Sequence, residues 1–306
     1  MAVFFMALTQ NSYIQKFLDY LRFEKRYSQH TIISYQNDLE QFFAFLSQYG
    51  EMEINAITAS FIRSWLAELK GEKISSKSIN RKISTLKSFF KFLMKQEVLK
   101  QTPMTTIVSP KINRRLPAFV EEKGTEMLFS SDFSDVEFED NWIGRTDKLI
   151  LTLFYNTGMR LSELINLKER DIDADYSQIK VLGKGNKERI IPVSKKLIND
   201  IKNYINEKPV KLEGIGEVFV NEKGKALYAK YVYKTVKDYL DKVTTIEKKS
   251  PHVLRHTFAT HLMNNGADLN AVKELLGHAS LAATQVYTHN TIEKLKDIHK
   301  KAHPKA

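Results

Sequence analysis

The stretch from Pro251 to Asn290, PHVLRHTFATHLMNNGADLNAVKELLGHASLAATQVYTHN, holds five histidines, one arginine and one tyrosine among helix-forming apolar residues. Three chemistries could use such a set: a metal site, a group of core histidines, or a phosphoryl-transfer site. A metal site fits poorly. His252 and His256 stand four apart, as on a zinc-binding helix, but Val253 follows His252 where the metalloprotease pattern needs glutamate, and the chain has no cysteine to supply thiolates. A phosphodiester site asks for fixed cations on the non-bridging oxygens, a nucleophile, and an acid for the leaving oxygen. His252 and Arg255 are three apart, so a helix carries both on one face. Leu254, Phe258 and Leu262 form a separate apolar stripe, and His256 and His261 fall away from the face of the first pair and read as structural.

The elements that position these groups follow from the hydrophobic pattern. At 306 residues the chain is about twice a typical domain, so two domains are expected. From Tyr13 to about Gln101 apolar residues recur at three and four spacing, which predicts a bundle of four or so helices. TPMTTIVSPKINRRLPAF then brings three prolines without a sustained period and reads as a linker. Beyond it, helical patterns (DKLILTLFYNTG, RLSELINL) precede a strand pair, QIKVLGKGNKERIIPV, with a hairpin turn at Gly183 to Asn186. Helices are expected again from Lys195 to the end, and FSSDFSDVEFED reads as a solvated acidic loop. The fold class is therefore mainly α: an N-terminal helical bundle over 1–107, a linker over 108–117, and an α-rich C-terminal domain with a small antiparallel β-sheet over 118–306.

The chain carries 47 Lys+Arg against 36 Asp+Glu, a formal charge of +11, so an anionic polymer is the leading partner, with a merely soluble basic protein as the alternative. One helix of the first half sharpens this. On Lys77 to Lys95, at about 100° per residue, Ile79, Ile83, Leu86, Phe90 and Leu93 share one stripe, while Lys77, Arg81, Ser84, Ser88, Lys91 and Lys95 line the opposite one. Cations and hydroxyls with no acid among them suit a DNA backbone; a solvated helix surface is the competing reading. The absence of cysteine fits a reducing compartment, and MAVFFMALTQ lacks the basic region and cleavage site of a signal peptide. A cytoplasmic protein with no membrane partner is expected.

Four stretches taken together resemble the tyrosine site-specific recombinases of the phage-integrase family, and within them the bacterial Xer recombinases: TGMRLSEL (Thr157 to Leu164), GKGNKERIIPV (Gly183 to Val193), PHVLRHTFATHLMNNGADL (Pro251 to Leu269) and LLGHASLAATQVYTH (Leu275 to His289). The helical first half resembles the family's core-binding domain. The resemblance implies that Arg160 and Arg255 clamp the scissile phosphate, a task suited to planar guanidinium forks. It implies that Lys184, at the hairpin tip, protonates the leaving 5′ oxygen, with Lys187 a nearby rival. His252 would assist proton removal from the nucleophile, His278 would donate to a phosphoryl oxygen in the transition state, and Tyr287 would be that nucleophile. Glu163 either orients Arg160, one turn away, or is a surface acid.

The resemblance further implies that Tyr287 forms a 3′-phosphotyrosyl bond which a 5′ hydroxyl of another strand reverses, so that neither ATP nor a metal or other cofactor is needed. It implies a substrate of double-stranded DNA with paired inverted half-sites and a homo- or hetero-tetramer in which the segment from Thr291 to Ala306 docks on a neighbouring protomer, packing on its own domain being the alternative; the Lys77 to Lys95 face and the linker suggest two domains holding opposite sides of the duplex. Resolution of chromosome or plasmid dimers, with a septal DNA translocase as a candidate partner, is the first reading. The alternatives are integration of a mobile element, relaxation of supercoils by a type IB topoisomerase-like enzyme, and a catalytically silent DNA-binding accessory protein.

Overall fold

The protein is described here from a computed structural model, over residues 12–50, 52–112, 118–129, 136–183, 188–209 and 216–277. The chain divides into two compact units, 1–114 and 115–306.

In the first unit, helix α1 (residues 12–19) runs into a π-helical turn at Tyr20–Glu24. Helices α2 (Gln29–Ser47), α3 (Ala59–Gly71) and α4 (Ser76–Lys95) follow. Ser28 and Ser75 start α2 and α4 by accepting the backbone N–H groups of Thr31 and Ser78, which would otherwise be left unpaired at the helix ends. Phe17, Phe42, Trp65, Phe89 and Phe90 fill the core. The α4 stripe Ile79, Ile83, Leu86, Phe90 and Leu93 is buried, as the period predicts. The period does not show Lys82, which is also buried: its Nζ donates to Asp38 Oδ1 at 2.9 Å, and it lies over the Trp65 ring. Asp38 also accepts from Arg81 Nη1 at 2.8 Å and Thr85 Oγ1 at 2.9 Å, so one buried carboxylate on α2 fixes three positions of α4.

The second unit begins with α5 (Glu122–Phe129), α6 (Trp142–Thr157) and the single-turn α7 (Leu161–Ile165). Strands β1 (Ile172–Asp173), β2 (Gln178–Leu182) and β3 (Glu188–Pro192) form an antiparallel sheet in chain order. Then come α8 (Lys195–Asn206), α9 (Ala229–Val243), α10 (Pro251–Asn264) and α11 (Leu269–Leu276). The core packs α6 against α10, α9 and α8, with Ile150, Leu151, Phe154, Leu164, Ile179, Phe219 and Leu254 inside. Cross-strand pairing sets Val181 opposite Arg189 and Ile179 opposite Ile191. Since side chains alternate along a strand, Arg189 shares the inward face of β3 with buried Ile191.

Two expectations are corrected. The helical run from Lys195 is broken after α8, where Val218, Phe219 and Val220 are buried in non-helical backbone with bridges Lys168–Glu217 and Val220–Ala226; a β-branched and aromatic run flanked by Pro209 and Gly224, the latter at φ +72°, disfavours a helix there. The acidic segment before α6 is also not wholly solvated. Val136 is buried, and Phe138 stacks on Tyr239 with ring centroids 4.7 Å apart.

Candidate active site

Gly158 ends α6 in the left-handed region at φ +57°, and a Cβ there would stand 2.4 Å from Phe258 Cδ1. Only glycine fits both the backbone and the space. The chain then turns so that Arg160 caps α7. Glu163, in the first turn of α7, accepts the Arg160 backbone N–H on Oε2 at 2.7 Å and Arg160 Nη1 on Oε1 at 2.7 Å. From β3 the Arg189 guanidinium grips the same carboxylate with Nη1 to Oε1 at 2.7 Å and Nη2 to Oε2 at 2.8 Å. Glu163 is therefore a buried acid between two guanidiniums rather than a surface acid. Burial by itself would raise its carboxyl, but the fork of Arg189 and the donors of Arg160 outweigh that and hold it at about 2.

The end of α11 supplies acceptors for the same group. Arg189 Nε donates to the Leu275 carbonyl at 2.7 Å, Arg255 Nη2 to that of Leu276 at 2.6 Å, and Arg160 Nη2 to that of Gly277 at 3.1 Å. Three consecutive carbonyls thus receive three arginines from three elements. The last carbonyls of a helix have no partner within it and carry the negative end of its dipole, so cations there are favourable. Gly277 closes α11 at φ +62°, with its N–H on Glu274 O at 2.9 Å. Arg255 is itself buried in α10, with Nη1 on the Gly158 carbonyl at 2.5 Å. The glycine of TGMR therefore holds the arginine of HVLRH.

His252 lies exposed in the first turn of α10, which opens on Pro251, a residue whose missing N–H costs nothing at a helix start. His256 is half-buried one turn on; burial, and then the charges of His252 and Arg255, lower it to about 4. His261 is buried, with Nε2 against the Val120 carbonyl at 3.0 Å and Nδ1 against the Tyr155 hydroxyl at 3.2 Å, a structural part in line with the sequence reading. Lys184, Lys187, His278, Tyr287 and the segment 291–306 lie outside the described residues. Arg160 and Arg255 are brought together, and His278 follows Gly277 directly in sequence. What the sequence reading missed is Arg189 and the carbonyl end of α11. The available signal for Arg189 was its register: with Ile179 and Val181 inward, the hairpin pairing turns Arg189 inward too.

Residues 136–294 match the phage integrase family, and residues 14–97 match the phage integrase N-terminal SAM-like domain. The chain belongs to the phage integrase family. Among its relatives, the tyrosine recombinase XerC of Listeria innocua is 38% identical over 305 residues, covering 98% of this chain and all of that one. The XerC of Staphylococcus saprophyticus is 39% identical, covering 95% of this chain and 97% of that one. Among solved structures, XerH recombinase bound to a palindromic difH substrate in a post-cleavage complex is 25% identical with a TM-score of 0.75, covering 93% of this chain and 82% of that one. The recombinase is thus an enzyme that cleaves and rejoins DNA, in a class whose chemistry uses neither ATP nor a metal.

On the recombinase's α4, Lys77, Arg81, Ser84, Lys91 and Lys95 are exposed and Ser88 is half-buried. The stripe has no acid of its own, but neighbouring elements bring two: Arg81 is held by Asp38 and by Ser34, and Lys95 Nζ lies 3.6 Å from Glu24 Oε2. Ser84 Oγ is used by the Asn80 carbonyl at 2.9 Å. The least engaged cations of the face are Lys77 and Lys91. Among the described residues no group of three or more potential metal ligands occurs, and no helix is long and apolar enough to cross a membrane.

Proposed function

We propose that this recombinase binds double-stranded DNA carrying paired inverted half-sites and exchanges strands there, with Tyr287 as nucleophile and Arg160 and Arg255 holding the scissile phosphate. The observation that carries this reading is the convergence of Arg160, Arg255, Glu163 and α11 on one spot, with His278 next in sequence to Gly277. A guanidinium has five N–H donors in a plane. Glu163 and the Gly277 carbonyl engage only one on each Nη of Arg160, so the fork is oriented while donors remain for phosphate oxygens. In the transition state, charge gathers on the non-bridging oxygens, and groups already fixed in place need no reorganisation to meet it. Tyr287 attacks phosphorus and expels a 5′ hydroxyl, leaving a 3′-phosphotyrosyl bond; attack by the 5′ hydroxyl of another strand restores the backbone. His252 takes the tyrosyl proton, Lys184 protonates the leaving oxygen, and His278 donates to a phosphoryl oxygen.

Near full-length similarity to recombinases named XerC supports resolution of chromosome or plasmid dimers over integration of a mobile element, in a homo- or hetero-tetramer that a septal DNA translocase regulates. The test is to incubate the purified protein with nicked duplexes carrying candidate sites from its own replicon. A denaturation-resistant 3′ adduct is expected with wild type, and none with Tyr287→Phe at undiminished affinity. A persisting 3′ adduct in that variant removes the nucleophile assignment. Relaxation of any plasmid without two specific sites would point to the topoisomerase-like alternative.

A further inference from the structure

We infer that Arg189, on β3, is a positioning residue for the reaction: it acts through Glu163 and the end of α11 to hold Arg160 in its phosphate-binding orientation. The inference rests on the reading of Arg160 and Arg255 as the phosphate-holding pair.

Arg189 occupies a position where the sheet would otherwise place an apolar side chain, since its neighbours on the inward face, Ile179, Val181 and Ile191, are all buried. Its side chain is 10% exposed. An arginine so enclosed is tolerated only if its donors are matched, and here all three nitrogens are. Nη1 and Nη2 take the two oxygens of Glu163 at 2.7 and 2.8 Å, and Nε takes the Leu275 carbonyl at 2.7 Å. The stem lies along the turn that ends α11, where a Cβ on Gly277 would meet Arg189 Cδ at 3.0 Å. With its donors aimed inward at protein acceptors, Arg189 contributes to phosphate binding through its neighbours rather than by touching the substrate.

The residues it joins come from three places in the chain. β3 follows the hairpin turn that contains Lys184 in sequence, α7 opens on Arg160, and α11 ends immediately before the Gly277–His278 pair. Glu163 Oε1 accepts from both guanidiniums, while Oε2 takes the second arm of the Arg189 fork and the Arg160 backbone N–H, so the carboxylate that Arg189 fixes in place sets where Arg160 Nη1 stands. Without Arg189 the carboxylate keeps its burial but loses two of its four donors, and it can no longer hold Arg160 Nη1 in one place. Lysine restores the charge without the fork, because an ammonium has no fixed plane and cannot reach two carboxylate oxygens and a carbonyl in one geometry.

The experiment uses the full chain with Arg189→Lys, Arg189→Met, Glu163→Gln, the Arg189→Met/Glu163→Gln pair, and Arg160→Ala in parallel. Each is mixed at saturating concentration with a nicked duplex bearing the bound site, and three quantities are read: half-site affinity by gel shift, the first-order rate constant of adduct formation, and the urea midpoint. Displacement of a positioned group by about 1 Å can cost on the order of 100-fold in rate, so Arg189→Met should lower the rate constant by ~10²-fold with affinity unchanged. Arg189→Lys should regain much of the stability but not the rate. The paired variant should be little slower than either single one, since both act through Arg160. A wild-type rate constant in Arg189→Met, or a loss confined to affinity, to the active fraction or to the urea midpoint, overturns the inference, as do multiplicative effects in the pair. Should Arg189→Met fail to fold, Arg189→Lys decides: cleavage at the wild-type rate overturns the inference. Arg160→Ala separates this from the underlying reading. If it too cleaves normally, the phosphate-holding assignment fails; if it is inactive while Arg189→Met is not, only the role of Arg189 fails.

Discussion

Glu163→Gln tests the balance at the centre of the site. The carboxylate is buried, which favours its neutral form, yet its opposing donors lower its pKa from 4.5 to about 2. At about 1.4 kcal/mol per unit, that difference is worth ~3 kcal/mol of stability at neutral pH. The amide is nearly isosteric but carries no charge, and its NH2 group points a donor at one of the guanidiniums. A loss of ~3 kcal/mol is therefore expected at pH 7, in the range for removing one member of a buried ion pair. The sign of the pH dependence follows from the depressed pKa. The contribution of Glu163 is complete above its unfolded value of 4.5 and is lost as pH falls toward about 2. The stability gap between wild type and variant should thus be flat from pH 8 to about 5 and shrink only below that.

Urea denaturation at a series of pH values measures this. Trp65 lies in the first unit and Trp142 in the second, so fluorescence reports on both, and only the second transition should move. A gap that widens as pH falls from 7 to 5 would mean that burial outweighs the arginines, because a carboxyl whose folded pKa lies above 4.5 stabilises the fold as it takes up its proton. That result would refute the account of the site as a charged carboxylate holding two guanidiniums.

Gly158→Ala forces a Cβ into the left-handed region and against Phe258, which should cost roughly 2–4 kcal/mol and also slow adduct formation, because the Gly158 carbonyl holds Arg255; urea midpoints and cleavage rates equal to wild type would contradict the crowding. His256 stays neutral to about 4 in the folded state while an unfolded histidine titrates near 6.5, so the unfolded chain takes up the proton first and stability should fall as pH drops from 6.5 toward 4. His256→Gln should flatten that slope, by on the order of 2 kcal/mol after allowance for partial exposure, and an unaltered slope would assign it to other groups. Replacing Lys91 and Lys95 of α4 by Ala should weaken DNA binding and lower the salt slope by ~0.9 for each phosphate that is no longer neutralised. An unchanged slope would mark the stripe as solvated surface.

The buried stripe of α4 could be read from the chain because a 3.6-residue period is a local signal, and the order of four motifs carried the family resemblance for a similar reason. Pairings across long separations could not. Lys82 looks like a surface lysine until Asp38, 44 residues away, is known to lie opposite it. Arg189 and Glu163 are 26 residues apart, and Arg255 is 97 from the Gly158 carbonyl it holds. For Glu163 the spacing to Arg160 allowed either an orienting or a surface role. Burial decides between them, and burial is a property of the packed unit rather than of the spacing.

The same geometry gives a physical reason for the residues that accompany the arginines within the motifs. An arginine cluster brought together in a packed unit would repel itself unless acceptors were supplied, and here they come from one carboxylate and four carbonyls, one of them that of Gly158. Glu163 offers two oxygens; α11 offers Leu275, Leu276 and Gly277, left unpaired because a helix must end somewhere. Gly277 makes that end abrupt by entering the left-handed region, so successive carbonyls fan out to different arginines instead of continuing the helix. The glycine in LLGH thus serves both to end α11 and to hand its own carbonyl to Arg160. A longer α11 would turn those carbonyls back into helix hydrogen bonds and leave the arginines without acceptors. Helix length, glycine position and arginine placement are therefore one constraint, which is why the glycine of the fourth motif and the arginines of the first three meet though they are far apart in the chain.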